Sequence, residues 1–167
     1  MSEEIITETQ VPDIAALVEF IAKKENLDIA GVMNVLNKKS GLQGMSGVGS
    51  DMRDIRAAIA DGNEDAKNAY DVLCYGIAKF VGGYVAAMNG VDAIAFTAGI
   101  GENSGFVRGK ICEYLGYLGI TIDAEQNSKR GEDIIISTPD SKVTVCVIPT
   151  NEELMIARDT KALVEAQ

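Results

Sequence analysis

DAIAFTAGIGENS, residues 92–104, is an apolar run that stops at two glycines and gives way to polar residues able to open a helix. The apolar part, Ala93 to Phe96, is too short for a helical period and is flanked by Asn89-Gly90 and by Gly99, so it predicts a buried strand. Gly99 and Gly101 release the backbone, allowing positive φ or the close approach of another group, and Asn103 or Ser104 can cap a following helix. A strand, a glycine turn and a helix start direct unpaired N–H groups and a partial positive charge at one place. A phosphate suits such a place, and so does a turn that needs glycine for geometry alone; this stretch leaves both open.

Two familiar phosphate motifs are not met. Gly99, Gly101 and Gly105 are spaced too widely for the dinucleotide fingerprint, and Glu102 would put a carboxylate where a pyrophosphate belongs. Gly105-x-x-x-Gly109-Lys110 is too short for a P-loop and lacks the following Ser or Thr.

Length and composition narrow the classes. A chain of 167 residues, 47% hydrophobic, is long enough for a real core and is most simply one domain. The net charge of −10 argues against nucleic acid or an anionic membrane as a partner, because both require a basic face. Cys74, Cys112 and Cys146 are widely spaced among apolar neighbours and read as buried free thiols in a reducing compartment. Residues 1–10 are acidic and lack the basic and apolar regions of a signal peptide, and residues 80–88 follow Lys79 and fall short of a membrane span, so the expected location is cytoplasmic. The chain has no histidine, which excludes Ser-His-Asp, Cys-His and histidine-metal sites within it.

Outward from the central stretch, Ile14, Leu17, Val18 and Ile21 mark a helix opened by Pro12 and Asp13, and Asp28 starts a second, with Val32, Val35 and Leu36 on its apolar stripe. GLQGMSGVGSDMRD, residues 41–54, predicts an ordered loop whose Ser50 caps a helix from Asp51 to about Ala60. Arg53 falls in the first turn, where a cation is electrostatically misplaced; pairing with Asp54 or Glu64 and a role outside the helix both account for it. Residues 63–89 form the longest helical pattern and the expected backbone of the core. In it Ala78, Gly82 and Ala86 make a small-residue stripe suited to close helix packing. Phe106, Val107, Ile111, Leu115 and Leu118 mark a helix ending at Gly119. Residues 120–122 are a short strand at most. Runs 133–137 and 142–148 form a hairpin around Thr138-Pro139-Asp140-Ser141. A last helix runs from Glu152 to about Val164, with Thr150 and Glu153 spaced as a capping box. Two strands that lie parallel and each end in a helix start would place both helix N-termini at one sheet edge, where open α/β sheets bind ligands. Glu152 at that edge is either dipole compensation or, opposite a triphosphate, a Mg²⁺ ligand.

SGVGSDMRDI, FTAGIGENS and STPDSKVTVCVIPTNEELMIARDT, with NKKSGL at residues 37–42, resemble the C-terminal half of the acetate kinase family. The resemblance runs from about Pro12 to the C-terminus, and residues 1–11 read as an N-terminal tail outside it. It implies an α/β fold: an incomplete ribonuclease-H-like domain of the acetate and sugar kinase/actin superfamily, with a small mixed sheet and many helices over residues 12–167. It implies phosphotransfer between ATP and acetate, with nucleotide contacts at Asp51, Met52, Arg53, Gly99, Ile100, Gly101, Glu102 and Asn103, and Mg²⁺ on Glu152. It also implies a homodimer, since members of the family dimerise through this domain. Family members are more than twice as long, and the portion without a counterpart here supplies the acetate pocket, the catalytic aspartate and the arginines that clamp the phosphoryl group. An N-terminal half supplied in trans is therefore an expected partner, and the expected alternative is a non-catalytic nucleotide-binding or self-associating module.

Overall fold

The computed structural model describes residues 14–165, with side chains from residue 16 onward. The N-terminal tail and the Pro12–Asp13 helix opening lie outside the described residues. Two compact units divide at Ala69 and Tyr70.

The first unit is helical: α1 (Ile14–Glu25), α2 (Ile29–Lys38), α3 (Gly41–Ser46), α4 (Met52–Ala60) and the start of α5 (Glu64–Met88). Asp28 caps α2 through the Gly31 N–H at 2.8 Å, as its position implies. Residues 41–46 are a helical turn and not a loop, entered at Gly41 (φ 61°) and closed by Gly47 (φ 67°), both in the left-handed region that glycine tolerates. The cap of α4 is Asp51, one residue later than Ser50, because the Asp51 carboxylate accepts the Arg53 N–H at 2.8 Å. Val32, Ile55, Ala66 and Ala69 are fully or almost fully buried.

Helix α5 has the bounds its periodicity predicts, and Asn63 caps it through the Ala66 N–H at 2.9 Å. Its role differs from expectation in the second half. Tyr70, Cys74 and Ala78 are buried, but Phe80, Tyr84 and Met88 are 73%, 65% and 62% exposed, so the apolar stripe outruns the described residues that could cover it. By length and composition α5 is also long and apolar enough to cross a membrane, more than residues 80–88 suggest by themselves. A core helix of a globular domain meets the same criterion, and Asp71 and Lys79 interrupt the run.

The second unit is built on a mixed sheet in the order β1-β3-β2: β1 (Ala93–Phe96), β2 (Ile134–Ile135) and β3 (Thr144–Val147). β1 and β3 are parallel in the register Ala93↔Thr144 to Phe96↔Val147, and β2 is antiparallel to β3, so both the parallel pair and the hairpin are as the sequence implies. The hairpin turn closes with Ser141 N–H on Thr138 C=O at 3.1 Å, Pro139 holding the second position. β2 is short because the Ile136 and Ser137 N–H groups both point at Val145 C=O, a bulge in which Ser137 Oγ takes the Val145 N–H at 2.9 Å. Residues 120–122 contribute a single bridge, Ile122 to Ser137.

β1 is an edge strand with Ala93 and Ala95 exposed and Ile94 and Phe96 half-buried, not the buried strand its composition predicts. The core lies on β3 and the bulge, where Cys112, Ile136, Val145 and Val147 pack with Phe96, Ile120, Ile122 and Ile134. Beyond β1 come α6 (Ala98–Asn103) and α7 (Gly105–Tyr114), then a 3₁₀ turn (Gly116–Leu118) closed by left-handed Gly119. α8 (Ala124–Ser128), capped by Asp123, lies where the sequence shows no helical pattern, being too short to display one. The final helix α9 (Glu152–Glu165) has the predicted bounds and no buried residue.

Tight packing of α7 on α8 is imposed at Gly105, where a Cβ would stand 2.2 Å from the Asn127 carbonyl oxygen. Gly105→Ala should therefore lower stability by about 1–3 kcal/mol, the usual range for overpacking against atoms that cannot yield. A urea titration followed by circular dichroism measures this; an unchanged midpoint would contradict the packing described.

Candidate functional site

The parallel pairing of β1 with β3 brings the ends of both strands to one edge of the sheet. There the chain leaves β1 through Thr97 into α6 and leaves β3 through Pro149, Thr150 and Asn151 into α9. One carboxylate joins the two exits. Glu102 accepts the Thr150 N–H at 2.7 Å and the Thr150 hydroxyl at 2.9 Å. These bonds, the backbone one foremost, hold its carboxyl below the usual carboxylate range. Thr150 is thus spent on Glu102, and the capping box with Glu153 does not form: Asn151 caps α9 instead, its Oδ1 taking the Leu154 N–H at 3.1 Å. Glu152 stands exposed in the first turn, two residues beyond Thr150.

The strained position of the turn is not a glycine. Ala98 has φ 59°, while Gly99 and Gly101 are absent from the positive-φ residues and lie inside α6. Left-handed alanine costs about 1–2 kcal/mol, so the turn is held in shape by its surroundings. The two glycines differ in use. A Cβ at Gly101 would meet Phe96 at 3.4 Å, whereas nothing lies within 4 Å of one at Gly99, which leaves that backbone approachable from outside. Ile100 is exposed, and the Asn103 side-chain amide donates back to Gly99 C=O at 2.9 Å, closing the turn. Ser104, not Asn103, caps α7 through the Val107 N–H at 3.3 Å.

In the first unit Asp51, Met52 and Arg53 open α4. Arg53 pairs with neither Asp54 nor Glu64 as its ion-pair partner: its guanidinium lies on Asp51, with Nη2 2.6 Å and Nε 3.0 Å from the carboxylate oxygens. That bond pulls the Asp51 carboxyl down to about 2, so both groups stay charged at neutral pH. The Arg53 side chain is 89% exposed and presents its remaining guanidinium surface to solvent.

Arg108 matches no catalytic position implied by the resemblance, and its burial and hydrogen-bonding role were not legible in the sequence. It is completely buried, and its five N–H groups have five acceptors: Asn127 Oδ1 at 2.9 Å and the carbonyls of Gly101 at 2.7 Å, Glu102 at 2.9 Å, Asn127 at 2.6 Å and Lys129 at 3.3 Å. Desolvation, and secondarily the charge of Arg130, lower its pKa. A signal was available: like Arg53, it occupies the first turn of a helix, where a cation opposes the dipole. Among the described residues no group of three or more His, Cys, Asp or Glu is placed to hold a metal by itself.

This fold and sequence have clear relatives. The family model described as the acetokinase family matches residues 3–158. The chain belongs to that family. It is 64% identical over 164 residues to an acetate kinase of Agathobacter rectalis and 56% identical over 163 residues to one of Lachnoclostridium phytofermentans; each alignment covers 97% of this chain and 41% of the relative. The chain therefore spans about two fifths of the length of these curated relatives. The crystal structure of Porphyromonas gingivalis acetate kinase superposes with a TM-score of 0.81 at 47% identity, covering 89% of this chain and 38% of that one. That of Entamoeba histolytica acetate kinase gives 0.81 at 35% identity, covering 90% and 40%. The family match begins at residue 3, earlier than the motifs at Pro12 and beyond indicate.

Because the folded-state pKa of Glu102 is depressed, its contribution to stability is complete above its unfolded value of about 4.3 and disappears as pH falls through the lower folded value. Glu102→Gln should thus be less stable than the parent at pH 7, and the gap should close toward pH 3. Urea midpoints of both proteins between pH 3 and 7 provide the check; a gap that stays constant with pH would assign the effect to something other than the carboxylate charge.

Proposed function

We propose that this chain carries the nucleotide and magnesium half of an acetate kinase site, acting in phosphotransfer between ATP and acetate. The carrying observation is the sheet edge at which Glu102 ties the turn after β1 to the segment that leads into α9. On this reading the phosphates of an adenine nucleotide lie along residues 99–103, where the Gly99 backbone is open, with Glu152 two residues beyond the tie. The family resemblance also assigns Asp51, Met52 and Arg53 as nucleotide contacts, and within the first unit Arg53 offers a charged and exposed guanidinium.

An exposed carboxylate at a helix start, without a cluster of protein ligands around it among the described residues, fits Mg²⁺ better than a metal needing a full protein cage, since Mg²⁺ is commonly held by one or two carboxylates, phosphate oxygens and water. Glu152 would hold it, and the ion supplies charge neutralisation at the phosphoryl oxygens. The chain's own contributions are then to bind the nucleotide, to orient its phosphates on a turn locked at both ends, and to keep Glu102 ionised but occupied by Thr150. Glu102 serves the nucleotide by shaping the turn, its carboxylate already being engaged. Weak binding of MgADP, with Kd about millimolar, is expected from one wall of a cleft. Gly99→Val should weaken it at least about tenfold while leaving the fold intact, because a Cβ there meets nothing within 4 Å. Isothermal titration of both proteins decides; equal affinities would remove the turn from the nucleotide site.

The chain by itself is expected to make no acetyl phosphate at a measurable rate. Arg108, the buried arginine, is committed to carbonyls and cannot serve as a phosphoryl clamp, and a clamp arginine is worth about 10³ to 10⁵ in rate. Hydroxamate detection with acetate and MgATP tests this, and turnover near ordinary kinase rates, abolished by Glu152→Ala, would overturn it. Addition in trans of the N-terminal half of a full-length relative is the arm in which turnover is expected.

A second reading is favoured by exposed apolar surface. Ile156 and Leu163 on α9 are 65% and 69% exposed, and the second half of α5 is uncovered as well. Surfaces of this kind mark association sites. A homodimer is the proposed state, whether or not the chain turns over substrate; light scattering at tens of micromolar should give twice the monomer mass, and a monomer would refute it.

A further inference from the structure

We propose that Arg108 is the positioning residue of the candidate nucleotide turn, acting as a shared C-terminal cap for two short helices. Gly101 and Glu102 supply carbonyls in the last turn of α6, and Asn127 and Lys129 supply carbonyls at the end of α8. Helix ends leave their final carbonyls without intrahelical partners and carry partial negative charge. Both ends converge on one guanidinium, whose planar fork matches them donor for acceptor. This explains how a completely buried cation is tolerated with no carboxylate among its hydrogen-bond partners.

The same cluster is closed from the other side. The Asn127 side-chain amide donates to Gly105 C=O at 2.8 Å while its Oδ1 accepts from Arg108 Nε, and Gly105 has no room for a Cβ. Arg108 therefore anchors the far end of α6 to α8, as Glu102 anchors α6 to Thr150 at the β3 exit. With strained Ala98 at its start, α6 holds its shape between these two attachments.

The role in shaping the turn stands on geometry alone; its consequence for a ligand rests on the nucleotide reading above. Lysine at this position keeps the charge but cannot serve four carbonyls and an amide oxygen at once. The test uses the full chain and its Arg108→Lys variant, with two readouts. In amide hydrogen exchange, Ser104, Asn127 and Lys129 report α6 and α8, while Ile136 and Ile148 report the sheet, since each donates a backbone hydrogen bond there. Exchange should quicken about tenfold at the first three and stay unchanged at the other two, the size expected from losing charge-assisted bonds. Titration with MgADP should show at least a tenfold weaker Kd in the variant. Quickening spread uniformly over all five amides, or none at all, would overturn the positioning role, as would unchanged ADP affinity in a parent that binds. A parent that binds no ADP would refute the nucleotide reading, and the exchange pattern would still decide the role of Arg108. Should Arg108→Lys not fold, Asn127→Ala removes one acceptor and leaves the guanidinium in place; exchange should then quicken at Ser104 and Lys129 but not at Ile148, and no change there would count against the proposal.

Discussion

The register that pairs Ala93 with Thr144 and Phe96 with Val147 is the constraint on which the second unit depends. Parallel strands leave a sheet at the same end, so whatever follows β1 must share that edge with whatever follows β3. The turn into α6 and the start of α9 are brought together by this pairing across about fifty residues of intervening chain. A strand pair in the opposite sense would have sent Glu102 and Thr150 to opposite ends of the sheet.

Once the two exits are neighbours, a small polar network keeps them there. Glu102 carries the tie on one side and Arg108 carries it on the other, each using charge-assisted hydrogen bonds to backbone groups that would otherwise go unpaired. No buried polar side-chain atom among the described residues is left without a partner, which is the condition for such a network to stiffen a site and not weaken it. The turn is thus held by hydrogen bonds at both ends rather than by a large core beneath it. The apolar packing lies farther back, on β3, the bulge and α7, where Val145, Val147, Ile136 and Ile111 are sealed from solvent.

Exposed apolar side chains mark the opposite extreme. Helix α9 and the second half of α5 have the amphipathic pattern of packed helices, yet Ile156 and Leu163 on the one and Phe80, Tyr84 and Met88 on the other face solvent among the described residues. Burial, unlike helix formation, needs a second surface. Likewise β1 pairs only with β3 among the described residues and is an exposed edge, although its composition is that of an interior strand.

What the sequence determined by itself was local or composition-borne: the bounds of α2, α5 and α9, the Asp28 cap, the proline turn of the hairpin, and family membership through motifs such as FTAGIGENS. Short-range hydrogen bonds and hydrophobic period decide these, and both are written in consecutive residues. Tertiary structure alone decided the rest. Thr150 had two claimants, Glu153 three residues ahead and Glu102 forty-eight residues behind, and the distant one won because strand pairing delivers it at hydrogen-bond distance. Ser50 yielded the cap to Asp51, whose carboxylate accepts from both the backbone and the guanidinium of Arg53. The burial of Arg108 follows from two helix ends meeting over it, a convergence of residues 101, 102, 127 and 129 that no local window contains.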